Sequence, residues 1–242
     1  MSASELALTF GRAAAAYERG RPEWPDEGID HAVDQLGLRA DATVLDLAAG
    51  TGKLTRKLVR RFDRVIAVEP DDAMRGLLET IVPEADALRG FVREIPFRGG
   101  EVDAVFIGEA FHWFAGADEL GEIGRVLSPR GGLVLMWYTP LERVLPRGFG
   151  GDPRTDRQRA ASGAWKEAFF GSSFEALRHA HFEDVQRVTR EGVLAYFASI
   201  SPIASLPDEE RRSRLEQVSA QLDRETYERR WRIDVYWTRL AA

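Results

Sequence analysis

Three short stretches of this sequence combine residue types and spacings that chemistry can use. The first is Asp46-Leu47-Ala48-Ala49-Gly50-Thr51-Gly52, which follows an apolar run and opens a helix-like one. Gly50 and Gly52 let a backbone turn tightly and approach a ligand where a side chain would obstruct it. The second is Glu69, the first polar residue after the next apolar run. A carboxylate there accepts two hydrogen bonds from a ribose diol, so Glu69 points to a nucleoside. The third is Gly108-Glu109-Ala110-Phe111-His112-Trp113-Phe114, where His112 is a group able to take a proton near neutral pH. Each has a plainer reading when taken alone: a turn, a solvated acid, a capping histidine. The first two at this spacing within one strand-helix-strand unit are stronger than either.

The same spacing separates two nucleoside ligands. A dinucleotide site wants a third glycine three positions beyond Gly52, where this chain has Thr55. An acid, Asp46, stands four residues before Gly50, which suits a sulfonium carrying an amino group better than a pyrophosphate. S-adenosylmethionine therefore fits better than NAD. A nicotinamide-dependent oxidoreductase and a binder of S-adenosylmethionine without turnover remain the alternatives.

These residues need a frame that brings them together. Thr43–Leu47, Arg64–Val68, a weaker run near Ala87–Val92, Glu101–Ile107 and Gly132–Trp137 read as buried strands. Helical periods lie between them, over Gly52–Phe62, Asp71–Ile81 and Asp118–Leu127, the last stopped by Pro129 and the Gly131-Gly132 pair. Strands apolar on both faces and alternating with helices imply a parallel sheet covered on both sides, with right-handed crossovers. Pro140–Thr155 reads as a loop, Trp165–Phe170 and Phe174–His179 as short helices, Phe182–Thr189 as a strand and Pro207–Leu222 as a helix. Arg230–Arg239 alternates, with Trp231, Ile233, Val235 and Trp237 on one face. The fold class is α/β: a three-layer, Rossmann-like sheet of seven strands, mostly parallel, with a reversed last strand. One domain is expected over 1–242, with 1–30 and about 140–222 capping the carboxyl edge of the sheet.

Composition narrows the partners. The 242 residues carry a net charge of −6 and contain no cysteine, which excludes disulfides, thiolate nucleophiles and cysteine-ligated zinc. An acidic chain gives no general attraction for nucleic acid. Met1–Phe10 lacks the pattern of a signal peptide, and no apolar run reaches the roughly 20 residues of a membrane helix, so a cytoplasmic protein is expected. His31, His179 and His181 show no metal-ligand spacing, and no metal is expected. The anticipated partner is a small-molecule acceptor, a carboxylic acid among the candidates, with the chain a monomer or homodimer. Arg143, Arg147, Arg154 and Arg157 read as a solvated basic stretch.

Val44–Thr55, together with Val65-Ile66-Ala67-Val68-Glu69-Pro70 and Met74, resembles motifs I and II of the class I methyltransferases. Phe10, Ala13-Ala14, Tyr17, Arg21-Pro22 and Trp24-Pro25 resemble the opening of the branch that includes trans-aconitate methyltransferases, as does Ala110–Phe114. The likeness covers about residues 8–137. It implies that Asp46 and the backbone of Ala48, Ala49 and Gly50 hold the methionine part of S-adenosylmethionine, with Glu69 on the ribose and Pro70 and Met74 against the adenine. Tyr17 and Arg21 would reach the methionine carboxylate. Gly108 and Glu109 would line the path to the methyl group. From its own chemistry, apart from the resemblance, His112 is the candidate base where the acceptor needs one, set against a capping role, and His112 and Trp113 are the candidate acceptor contacts, Trp113 as a wall. The sequence departs from the family at Ala48, where relatives carry a glycine, and over Gly90-Phe91-Val92-Arg93-Glu94-Ile95-Pro96. Relatives have a polar residue at the position of Phe91 that contacts the adenine amino group. Here the Val92 amide and the Phe91 ring, with Arg93 adjacent, are left to meet the base, and weaker cofactor binding is expected.

Overall fold

The computed structural model describes residues 14–142 and 162–241. The early residues Met1–Phe10 and Ala13, and the arginines at 143, 147, 154 and 157, lie outside them. A seven-stranded sheet forms the centre, in the order β3-β2-β1-β4-β5-β7-β6. β1 (Thr43–Leu47), β2 (Arg64–Val68), β3 (Asp86–Leu88), β4 (Val102–Gly108) and β5 (Leu127–Pro140) run parallel. β7 (Thr226–Arg239) is antiparallel to both its neighbours, β5 and the edge strand β6 (Arg178–Thr189). This is the expected seven-stranded architecture with its reversed last strand.

The strands are driven inward from both faces. Val44, Ala104, Phe106, Val134, Met136, Ile233 and Val235 pack into one core layer, and Leu45, Leu47, Ile66, Val105, Ile107 and Leu135 into the other. The alternation read in the last strand holds: Trp231, Ile233, Val235 and Trp237 are all buried. Helices cover the sheet. They are α1 (Ala14–Gly20), α2 (Asp26–Gln35), α3 (Thr55–Leu58), α4 (Asp72–Ile81), α5 (Ala117–Val126), α6 (Arg190–Ser199), α7 (Ser201–Ala204) and α8 (Asp208–Gln221). Among the described residues, no helix is long and apolar enough to cross a membrane.

Four expectations change. The helix read over Gly52–Phe62 shrinks to Thr55–Leu58, because Gly52 has φ +85° and the chain turns before it can coil. β3 is only three residues long, as Gly90 and a turn closed by Glu94 N–H donating to the Phe91 carbonyl interrupt it. Phe174–His179 is not a helix: Phe174 bridges to Leu240 and β6 begins at Arg178. β5 begins at Leu127, directly after α5, and runs through Pro129 and the glycine pair to Pro140. Helix α6 has no counterpart in the sequence reading. Its residues Val193, Ala195, Tyr196, Phe197 and Ser199 are buried around most of the circumference, which erases the helical stripe.

Candidate active site

The carboxyl ends of β2, β1 and β4 lie side by side and carry one acid each: Glu69, Asp46 and Glu109. The loop after β1 turns three times into the left-handed region, at Ala48 (φ +60°), Gly50 (φ +59°) and Gly52 (φ +85°). The Ala49 amide donates to the Val68 carbonyl at 3.1 Å, which pins this loop beside β2. Glu69 completes the tie. Its Oε2 accepts from the Gly50 amide at 2.8 Å and its Oε1 from the Asp71 amide at 2.9 Å. Asp71 then caps α4 by accepting from the amides of Ala73 and Met74.

Burial pushes Glu69 up to about 7, against the pull of those two amide bonds. Asp46, only 1% exposed, is likewise pushed up to about 7 by burial and by the Glu69 charge. The Thr55 hydroxyl donates to Asp46 Oδ2 at 2.6 Å, so the residue standing in place of a third glycine has a positive role. Two buried acids held this near neutrality favour a cationic or hydroxyl-bearing ligand over a pyrophosphate.

A roof lies over the loop. A Cβ on Gly50 would sit 3.7 Å from Met74 Sδ and 3.9 Å from Tyr17 Cε1, so a thioether and an aromatic ring flank the bare backbone there. Burial raises the Tyr17 phenol above its ordinary value. Arg21 lies 4.9 Å over the Tyr17 ring and donates to Ser199 Oγ and the Ser199 carbonyl at 3.0 and 3.1 Å. Further along, a Cβ on Gly108 would meet Trp24 Cζ2 at 2.7 Å, and Trp24 stacks on Tyr138 at 3.9 Å. The Tyr138 hydroxyl donates to the Pro22 carbonyl. Buried Lys53 bonds Glu23, and Glu18 receives Thr51 and Arg56. These contacts clamp residues 17–24 between the glycine loop and the second half of the chain.

Glu109 follows β4 with φ +57°, and its Oε1 accepts from the Tyr138 amide at 2.6 Å. On the opposite face, Trp137 Nε1 donates to His112 Nδ1 at 3.0 Å. An indole nitrogen is a donor only, so the ring is neutral and carries its proton on Nε2. Trp113 is half-buried beside His112, at 5.0 Å between ring centroids.

The structure thus gathers Tyr17, Arg21, Asp46, Ala48, Ala49, Gly50, Glu69, Pro70, Met74, Gly108 and Glu109 along one sheet edge. Phe91 stands at the rim, 40% exposed, with Val92 beside it. Arg93 is drawn aside, its Nε donating to Glu119 at 2.6 Å. Sequence reasoning missed Tyr138, Tyr196 and Arg229 as site neighbours. The Arg229 guanidinium is buried 4.0 Å from the Tyr196 ring and 4.3 Å from that of Trp231. No glycine motif marks these three, and an alternating strand carrying an arginine looks solvated from sequence alone.

The residues fit S-adenosylmethionine. Each Glu69 oxygen keeps a second acceptor direction beyond its amide bond, Gly50 leaves room for close approach, and Arg21 supplies a cation within the roof. Residues 45–135 match the methyltransferase domain family. An uncharacterised methyltransferase-like protein of Schizosaccharomyces pombe is 34% identical over 222 residues, covering 89% of this chain and 84% of that protein. An uncharacterised methyltransferase of Mycobacterium tuberculosis is 45% identical over 143 residues, 59% of this chain, and the match spans 57% of the relative's length. Among solved structures, phosphoethanolamine N-methyltransferase 2 of Haemonchus contortus, in complex with phosphomonomethylethanolamine and S-adenosylhomocysteine, shares the fold. Its TM-score is 0.58 at 14% identity, over 96% of this chain and 58% of that one. From its motifs, its sheet and these relatives, the chain belongs to the class I S-adenosylmethionine-dependent methyltransferases.

Proposed function

We propose that this protein transfers a methyl group from S-adenosylmethionine to a small-molecule acceptor. The observation that carries the reading is the Gly50–Glu69 bond under the Tyr17 and Met74 roof, which builds a nucleoside cradle beside a cationic group. Asp46 and the backbone of Ala48, Ala49 and Gly50 would hold the methionine part, Glu69 the ribose, and Arg21 with Tyr17 the carboxylate. Pro70 and Met74 would pack on the adenine, with the Val92 amide near its edge. Phe91 offers a face but no acceptor for the amino group, which supports a weaker affinity than in relatives.

When bound, S-adenosylmethionine supplies a methyl carbon activated by a sulfonium. The protein's task is then mainly orientation, which contributes roughly 7–11 kcal/mol in favourable systems. The clamp over residues 17–24, with Trp24 packed against Gly108, supports a small acceptor. Among small acceptors, carboxylic acids are the first class to test. A carboxylate nucleophile needs no base. Trp137 engages His112 Nδ1, and Trp113 beside it is proposed as a wall. The protein is proposed to act in the cytoplasm, as a monomer or homodimer, without nucleic acid.

Isothermal titration with S-adenosylmethionine, S-adenosylhomocysteine and NADH tests the cofactor. Binding of the first two alone supports the reading, and binding of NADH alone overturns it. A screen of small carboxylic acids, read by release of S-adenosylhomocysteine, then tests the acceptor class.

A further inference from the structure

Glu109 occupies an unusual place. It follows β4, whose neighbours in the sheet are β1, bearing Asp46, and β5, bearing Tyr138. Its backbone adopts φ +57°, a conformation that L side chains rarely take and that glycine would adopt freely. The Glu109 amide donates to the Met136 carbonyl at 2.9 Å while Oε1 accepts from the Tyr138 amide at 2.6 Å. Backbone and side chain together hold the carboxylate in the gap between the ends of β4 and β5. Trp24, packed on Gly108, closes one side of that gap.

We propose that the Glu109 carboxylate reads charge at the reacting end of the cofactor pocket and favours the sulfonium donor over the neutral thioether product. This rests on the cofactor use proposed above. Burial is the main reason that the phenols of Tyr17 and Tyr138 are raised, and the Glu109 charge adds to it at both, one beside Gly50 and the other stacked on Trp24. Arg21 acts on the same two rings with opposite sign. Arg21, however, is fixed on Ser199 and faces a carboxylate that donor and product both retain, so it cannot tell them apart. Methyl transfer forms a bond from the acceptor's lone pair to the methyl carbon, and the C–S electron pair returns to sulfur, which loses its positive charge. A fixed anion at that end binds the ligand before transfer more tightly than the ligand after it. Its effect is to hold the donor and let the product go.

Titration calorimetry on the full chain with S-adenosylmethionine and S-adenosylhomocysteine tests this, using Glu109→Gln and Glu109→Gly. Loss of one partly screened charge interaction is expected to weaken S-adenosylmethionine about tenfold, with S-adenosylhomocysteine held within about twofold. Glu109→Gly keeps the test open if the glutamine variant folds poorly, because glycine accepts φ +57° without strain. Equal weakening of both ligands, or no change in either, overturns the proposal. Failure of the parent chain to bind either ligand is a different result, and it overturns the cofactor reading together with this inference.

Discussion

The amides of Gly50 and Asp71 both donate to Glu69, at 2.8 and 2.9 Å, so one carboxylate joins the loop after β1 to the cap of α4. Glu69→Gln cannot satisfy both, since one amide would meet an NH2 group. The variant is expected to lose about 1–3 kcal/mol of stability, measured by urea unfolding, as well as affinity for S-adenosylmethionine. A variant as stable and as tightly binding as the parent would show that the bridge is incidental.

Cofactor affinity should rise with pH. Glu69 and Asp46 both stand near 7 in the folded chain, well above ordinary carboxylates, so the folded state holds protons that the unfolded state has released. Their contribution to stability is full below about pH 4 and is lost as pH climbs through 7. A cationic, diol-bearing ligand prefers the ionised acids and expels those protons. Calorimetry at pH 7 in buffers of different ionisation enthalpy should therefore detect proton release on binding, fading by pH 8.5. Binding that takes up protons would contradict the assignment.

The three left-handed positions of the loop are not equivalent to substitution. Ala48→Gly relieves a positive φ at some entropic cost, and the melting temperature should change by the equivalent of less than about 1 kcal/mol. Gly52→Ala combines φ +85° with a Cβ 3.0 Å from Leu78 Cγ and 3.1 Å from Val82 Cγ2. That variant should lose about 2–4 kcal/mol, by denaturant melts, and bind cofactor poorly. A reversed order would mean that the loop's backbone strain does not govern it.

Lys53, with its side chain 8% exposed, bonds Glu23 and lies 3.8 Å from Glu18. Lys53→Met removes the cation beneath the roof and should raise hydrogen exchange over residues 14–25 while leaving β1 and β4 protected. Added salt should mimic part of the effect. Uniform loosening of the whole sheet would show instead that Lys53 supports the core.

Much of this was legible in the sequence because the parallel strands are short, apolar and punctuated. Thr43–Leu47 and Arg64–Val68 coincide with their strands residue for residue, while the bond between the Gly50 amide and Glu69 was not foreseen. Phe174–His179 misled because the segment is held by distant partners, Phe174 bridging to Leu240 and the Glu175 amide donating to the Arg239 carbonyl, before β6 starts at Arg178. The His112 tautomer was invisible, since it depends on Trp137, 25 residues away in sequence. Arg229 and Tyr196 were likewise silent, because the reversed strand carries the one to the site and helix α6, whose buried residues show no helical stripe, carries the other.

The clamp over residues 17–24 also dictates an order of events during synthesis. Glu23 pairs with Gln186, Arg21 with Ser199, and Tyr138 with the Pro22 carbonyl, across separations of up to 178 residues. A nascent chain can tie the roof to the glycine loop through Glu18 and Glu23, but the Gln186 and Ser199 ties wait until β6 and α6 have left the ribosome. The nucleotide cradle can assemble from the first half alone. Its roof is completed only by the second, so a prematurely terminated product would carry a cradle whose roof is half tied.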